Sequence, residues 1–242
     1  MSKPIKFYPV SIMNGPRFLR PLRILLEYLG PLLFLWLSGV KDTIVFFGSA
    51  RVRQGNGYYE AAKLLSMLLT DWSLSEKGGR YLVATGAGPG IMEAANRGAS
   101  EVTRGRSIGF GIVLPREQGN NQFITKGLSF VFRYFFMRKF WFAYQAKALV
   151  VFPGGFGTLD ELFELLCLRQ TRRIEKPLPI VLYGRDFWGS LIDFRVLVEA
   201  GVIEKEDLKL FTIVDDVGSA FQVITAALKK AAEDGQADWP QR

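Results

Sequence analysis

The chain has 242 residues, a net charge of +8, one cysteine and no histidine. Hydrophobic residues make up 49% and charged residues 22%, a globular composition that excludes a disordered chain. The missing histidine excludes a Ser-His-Asp triad, a His-ligated metal and an imidazole base, and the lone Cys167 excludes a disulfide framework or a Cys-rich zinc site. Acid–base chemistry must therefore come from Asp, Glu, Lys, Tyr or Cys167. The positive charge favours anionic partners, and by itself fits nucleic acid, a phosphorylated metabolite or a membrane surface equally.

The most apolar stretch, residues 24–37, is shorter than the roughly 20 residues a membrane span needs and is interrupted by Glu27, Gly30 and Pro31. No small-residue cleavage site follows Arg17, Arg20 and Arg23, so neither a spanning segment nor a secretory signal is expected, and the chain reads as cytoplasmic. The spacing predicts an amphipathic helix over 18–29 and then a second short apolar piece. Both pack on the main domain or on a neighbouring subunit; the competing reading is a peripheral membrane anchor.

From residue 43 the pattern alternates. Short apolar runs at 43–47, 81–85, 107–114, 148–152, 179–182 and 211–214 read as strands. Helical spacing occupies 58–70, a small-residue segment ending near 95, an aromatic-rich 133–146, then 159–170, 187–200 and 218–231. Buried strands separated by helices predict an α/β, doubly wound, Rossmann-like parallel sheet with helices on both faces. The expected organisation is an N-terminal helical arm over 1–42, one nucleotide-binding domain over 43–232 and a tail over 233–242. In such sheets the ligand lies beyond the carboxyl ends of the strands, where strand order switches. Three strand ends carry unusual residues: Gly48-Ser49-Ala50-Arg51, Gly86 to Gly90, and Pro153 to Thr158.

The Gly154-Gly155-Phe156-Gly157-Thr158 loop joins a strand to a helix, so several N–H groups and the positive helix end converge on one point. A phosphate or carboxylate suits it; a turn that needs glycine for geometry alone is the other reading. It lacks the GxxxxGK[ST] pattern and any lysine, which argues against triphosphate hydrolysis. Gly86 to Gly90 is GxGxG with no acidic residue ending the next strand, so a dinucleotide is not expected. Thr158 to Glu161 fits a capping box, in which Glu161 serves only the helix start. Against that, Leu159, Leu162, Phe163 and Leu166 form the face expected on the sheet, which leaves Glu161 on the opposite, also apolar, side. In the aromatic segment Arg138 and Lys139 sit among Phe, Trp and Tyr, either as snorkelling cations or as site residues.

Taken together, Pro153 to Glu161 (PGGFGTLDE), Met137-Arg138-Lys139, Gly48 to Arg51 and Gly86 to Glu93 resemble the Lonely Guy family, often labelled lysine decarboxylase-like. The resemblance runs over about 43–231. It implies a phosphoribohydrolase that cleaves the N-glycosidic bond of AMP or a cytokinin riboside monophosphate to free base and ribose 5-phosphate. It implies Arg138 and Glu161 as catalytic residues. It implies binding roles for Gly48, Ser49, Gly88, Gly90, Met92, Glu117, Lys139, Gly154, Gly155, Gly157 and Thr158. No metal and no cofactor is implied. Lysine decarboxylation needs pyridoxal phosphate on a Schiff-base lysine, and no lysine is marked for it. The alternative is a non-catalytic carrier of a nucleotide or of molybdenum cofactor, a phosphorylated pterin; the pair Arg138 and Glu161 speaks for the enzyme. A nucleic-acid partner is not expected, because the basic residues are dispersed. A homodimer or higher homo-oligomer is, because the helix after Thr158 has two apolar faces.

Overall fold

The computed structural model describes residues 4–9, 12, 15–114 and 119–235. A short strand β1 (Ile5–Lys6) leads through a 3-10 turn (Arg17–Leu19) to helix α1 (Arg20–Leu37). There follow β2 (Asp42–Phe47), α2 (Gly57–Lys77), β3 (Tyr81–Thr85), α3 (Ile91–Ser100), β4 (Ser107–Ile112), β5 (Ser129–Phe132), α4 (Phe135–Gln145) and β6 (Ala146–Val151). The chain continues with α5 (Phe156–Gln170), β7 (Ile180–Tyr183), α6 (Arg185–Leu191), α7 (Phe194–Glu199), a 3-10 turn (Lys205–Leu210), β8 (Thr212–Val214) and α8 (Val217–Glu233).

The eight strands form one parallel sheet in the order β1-β5-β4-β3-β2-β6-β7-β8. After β1, which lies at the outer edge beside β5, the chain enters the centre with β2, runs outward to β5, returns beside β2 with β6 and runs outward again to β8. The α/β doubly wound expectation holds, and the switch in strand order lies between β2 and β6. The strands are buried on both sides because alternate residues feed two cores. Ile44 and Phe46 meet α2, α3 and α8 through Leu65, Ala94 and Ile224, while Val45 and Phe47 meet α1, α4 and α5 through Leu35, Phe142 and Leu162.

Several expectations are corrected. β1 and β5 extend the sheet at an edge where no strand was read; each is too short to stand out as an apolar run. The segment 187–200 is two helices, broken at Ile192-Asp193, where Asp193 takes the Arg195 N–H and starts α7. The arm is one helix of 18 residues rather than two pieces, with Pro31 inside it. Proline at that place leaves the Glu27 carbonyl without its helical donor, and the Trp141 indole N–H supplies one at 3.0 Å. No helix among the described residues is long and apolar enough to cross a membrane.

Candidate functional site

The β2 and β6 ends are tied together, Ser49 N–H to the Pro153 carbonyl at 2.9 Å and Phe152 N–H to the Phe47 carbonyl at 2.8 Å. This brings the Gly48 to Arg51 and Pro153 to Thr158 loops side by side at the switch. The third loop joins them because Gly90 has φ of +71° and no Cβ, which would collide with the Ser49 carbonyl. The first N–H of α3, from Ile91, then bonds that carbonyl at 3.1 Å.

Two connected chambers open at this junction. One, of about 590 Å³, is lined by Gly48, Ser49, Arg51, Arg138, Gly155 to Thr158 and Glu161. The other, of about 850 Å³, runs past Arg51, Arg53, Tyr59, Gly88, Gly90, Glu93 and Asn120. Arg51, Gly86, Met92 and Arg138 border both. Of the residues expected in the site, all but three therefore line a chamber. Gly154 stands behind its loop, where a Cβ would collide with the Thr158 hydroxyl. Lys139 reaches Asp160 at 2.7 Å and Glu164 at 2.9 Å instead of a chamber. Glu117 lies outside the described residues.

Helix α5 starts at Phe156, capped by Gly155 without a side chain, so Thr158 and Glu161 do not form a capping box. The Thr158 N–H bonds the Gly155 carbonyl at 2.9 Å, and the two N–H groups before it, of Phe156 and Gly157, belong to residues that line the smaller chamber. The face assignment made from spacing is also corrected. Thr158, Glu161, Leu162, Leu165 and Leu166 are buried, whereas Phe163 is 40% exposed. A helix apolar on nearly every side gives no unique face by spacing alone. What turns Glu161 inward is Arg138, whose Nη2 donates to Glu161 Oε1 at 3.0 Å.

The aromatic surroundings of Arg138 are its seat. The guanidinium lies 5.2 Å from the Phe135 ring centre and 5.9 Å from that of Phe142, one turn before and after it on α4. Arg138 Nε is buried without a partner. Burial is the largest influence on Glu161 and pushes its carboxyl up to about 7, against the attraction of Arg138 and then Lys139. The neighbouring guanidinium therefore does not keep this carboxyl below its ordinary range.

A stability effect follows with a definite sign. Below pH 4.5, the ordinary value, Glu161 is protonated in the folded and the unfolded chain alike. Between 4.5 and about 7 the folded chain keeps a proton that the unfolded chain has released, so stability falls as pH rises through this window. Urea denaturation of wild type and Glu161→Gln should give a difference near zero at pH 4.5. Above pH 7 the variant should be ahead by on the order of 3 kcal/mol. A difference that does not change with pH would contradict the burial argument.

Spacing missed the residues that shape the Gly86 to Gly90 loop. Asn121 donates to the carbonyls of Ala87 at 3.1 Å and Gly88 at 3.0 Å, and to Asn96 Oδ1 at 3.0 Å. Asn96 in turn accepts from the Thr85 hydroxyl at 2.7 Å, deep under the loop. Two asparagines and a threonine far apart in sequence leave no periodic signal. Arg51 sat in a noted strand end but was not among the expected binding residues, though it borders both chambers.

With this geometry in view, comparison with known proteins is informative. The family model described as possible lysine decarboxylase matches residues 92–224. A probable cytokinin riboside 5′-monophosphate phosphoribohydrolase of Oryza sativa subsp. japonica is 29% identical over 194 residues, 78% of each chain. The molybdenum cofactor carrier protein of Chlamydomonas reinhardtii superposes with a TM-score of 0.51 at 17% identity, over 78% of this chain and 99% of its own. The molybdenum cofactor binding protein of the bacterium Rippkaea orientalis gives 0.45 at 17% identity, over 78% and 98%. At 17% identity the first of these structures shares the fold.

Proposed function

Because the chain belongs to the Lonely Guy family, the one whose model is described as possible lysine decarboxylase, we propose that it is a nucleoside 5′-monophosphate phosphoribohydrolase. The reaction adds water across the N-glycosidic bond of AMP or an N6-modified relative and releases free base and ribose 5-phosphate. The observation that carries the reading is the largely buried Arg138–Glu161 pair in the wall of the chamber that the loop at the start of α5 also lines. A carrier needs the loop but has no use for a carboxylate held at the same place.

In this reading the first turn of α5 and the Thr158 hydroxyl hold the 5′-phosphate. Anchoring it places C1′ near Glu161, so binding energy from the non-reacting end orients the reacting one. The bond breaks through an oxocarbenium-like state. The ionised Glu161 stabilises that cation and orients water, and Arg138 fixes the carboxylate through Nη2. A carboxyl that titrates near 7 is suited to proton transfer at neutral pH. Lysine decarboxylation does not fit. Among the described residues, neither chamber is lined by a lysine that could hold pyridoxal phosphate as a Schiff base.

The test is incubation with AMP and with a cytokinin riboside monophosphate while released base is followed over many turnovers. Continuous release supports the enzyme. Binding of either nucleotide without release would leave the carrier reading ahead.

A homo-oligomer, at least a dimer, belongs to the same proposal. Helix α1 turns Leu22, Leu25, Leu29, Leu32, Leu33 and Trp36 outward, Trp36 being 74% exposed. Its Tyr28 ring lies 5.4 Å from that of Phe140 on α4, so the apolar surface continues onto the next helix. A single domain rarely leaves so long an apolar stripe uncovered. Light scattering at micromolar concentration should give at least twice the 27.3 kDa of one chain, and a monomer would refute the expectation.

A further inference from the structure

The arm holds a buried carboxylate that the proposed chemistry does not use. Glu27 is 1% exposed, on the inward side of a helix whose outward side is apolar. Its neighbour one turn earlier, Arg23, is also buried, and donates to the Tyr134 hydroxyl at 3.0 Å and to the carbonyls of Ile12 and Gly15 at 3.0 and 3.2 Å. An apolar helix with its charged residues turned inward has them there for a partner, because an unpaired buried charge costs several kcal/mol.

The partner of Glu27 is the start of α4. Its Oε1 accepts the Arg133 N–H at 2.8 Å and the Tyr8 hydroxyl at 2.6 Å, and its Oε2 accepts the Tyr134 N–H at 3.2 Å. Helix α4 opens at Tyr134 with no side-chain cap of its own. A carboxylate at that end also meets the positive pole of the helix. The second hold comes from the same residue's main chain. The carbonyl that Pro31 leaves free takes the Trp141 indole N–H, two turns along α4. Arg138 lies between these anchor points.

We propose that Glu27 is a positioning residue. Through its carboxylate and its main-chain carbonyl the N-terminal arm holds α4 at both ends of the segment that carries Arg138, and so sets where the guanidinium meets Glu161. The proposal rests on the hydrolase reading for its kinetic consequence but not for its structural one. Displacement of a catalytic group by a fraction of an ångström to an ångström costs one to two orders of magnitude in rate. Substrate affinity changes little, because the phosphate loop on α5 touches neither anchor.

The experiment uses two full-length variants. Glu27→Gln keeps the size but turns one oxygen into an N–H₂ group that cannot accept from both backbone donors. Trp141→Phe keeps the ring and removes the indole N–H. For each, kcat and KM for AMP are measured well below the melting temperature, and amide hydrogen exchange compares α4 with α8, which lies on the other face of the sheet. The expected result is a kcat about 10- to 100-fold lower, KM within about twofold, and faster exchange in α4 with α8 unchanged. Wild-type kcat in a folded variant, or equal loosening of α4 and α8, would overturn the proposal. If Glu27→Gln does not fold, Trp141→Phe carries the same test through the second anchor. If the wild type turns over no nucleotide, the hydrolase reading fails. The exchange comparison then decides alone, and unchanged α4 protection in both variants overturns the positioning role.

Discussion

Glu161→Gln should lose nearly all turnover of AMP while becoming harder to unfold at pH 8. The substitution keeps the shape, and its carbonyl oxygen still accepts from Arg138 Nη2, so the pair's geometry survives. What it removes is the negative charge that stabilises the oxocarbenium-like state and the group that takes a proton from water. A positioned acid–base group is worth about 10²–10⁴ in rate, and that is the expected fall in kcat. KM should change little, because the donors to the phosphate are the first turn of α5 and Thr158, which are untouched. Stability should move the other way, because an ionised carboxylate in a mostly buried place costs free energy that neutral Gln does not. Loss of activity through mere damage would come with a lower melting temperature. A variant with wild-type turnover would remove Glu161 from the mechanism and leave a binding protein.

AMP should be cleaved far faster than adenosine, which differs only at the far end from the bond that breaks. The smaller chamber ends at the start of α5, where unpaired N–H groups, the Thr158 hydroxyl and the helix pole converge. Three hydrogen bonds to a charged phosphate at roughly 1.5 kcal/mol each correspond to about 10³ in kcat/KM. Much of this should fall on kcat, because binding energy from the phosphate holds the ribose in the reactive geometry. Thr158→Val, which keeps the bulk and removes the hydroxyl, should lose about tenfold in kcat/KM for AMP and nothing for adenosine. Equal rates for AMP and adenosine would mean that the loop does not hold a phosphate, and the proposed function would fall with it.

The glycine loops were legible in the sequence because their chemistry is local. A strand, a turn of glycines and a helix start are consecutive in the chain, and backbone N–H groups need no distant partner to converge. The central strands and the doubly wound order were legible for a related reason. Apolar runs of about five residues between helices can be buried only in a parallel sheet covered on both faces. The edge strands β1 and β5 were not, since one has two residues and the other four, and what makes them strands is pairing with β4 and with each other.

The chemistry of Glu161 depended on contacts that no spacing records. Its residue type and its place after the loop were plain in PGGFGTLDE. Whether it capped a helix, faced solvent or met a cation depended on Arg138, 23 residues earlier and on another helix. Its titration near neutral pH depended on how much of the chain buries it. The arm shows the same division. Its sequence carried the apolar length, the interrupting Glu27 and Pro31, and the basic start. From local propensity Gly30 and Pro31 end such a helix. In the folded protein the carbonyl that Pro31 frees and the carboxylate of Glu27 are both taken up by α4, more than 100 residues away. Local structure follows from what a few neighbouring residues can satisfy among themselves. Where a buried polar group remains unsatisfied locally, only the tertiary fold supplies its partner, and there the helix continues, turns or titrates according to what that partner is.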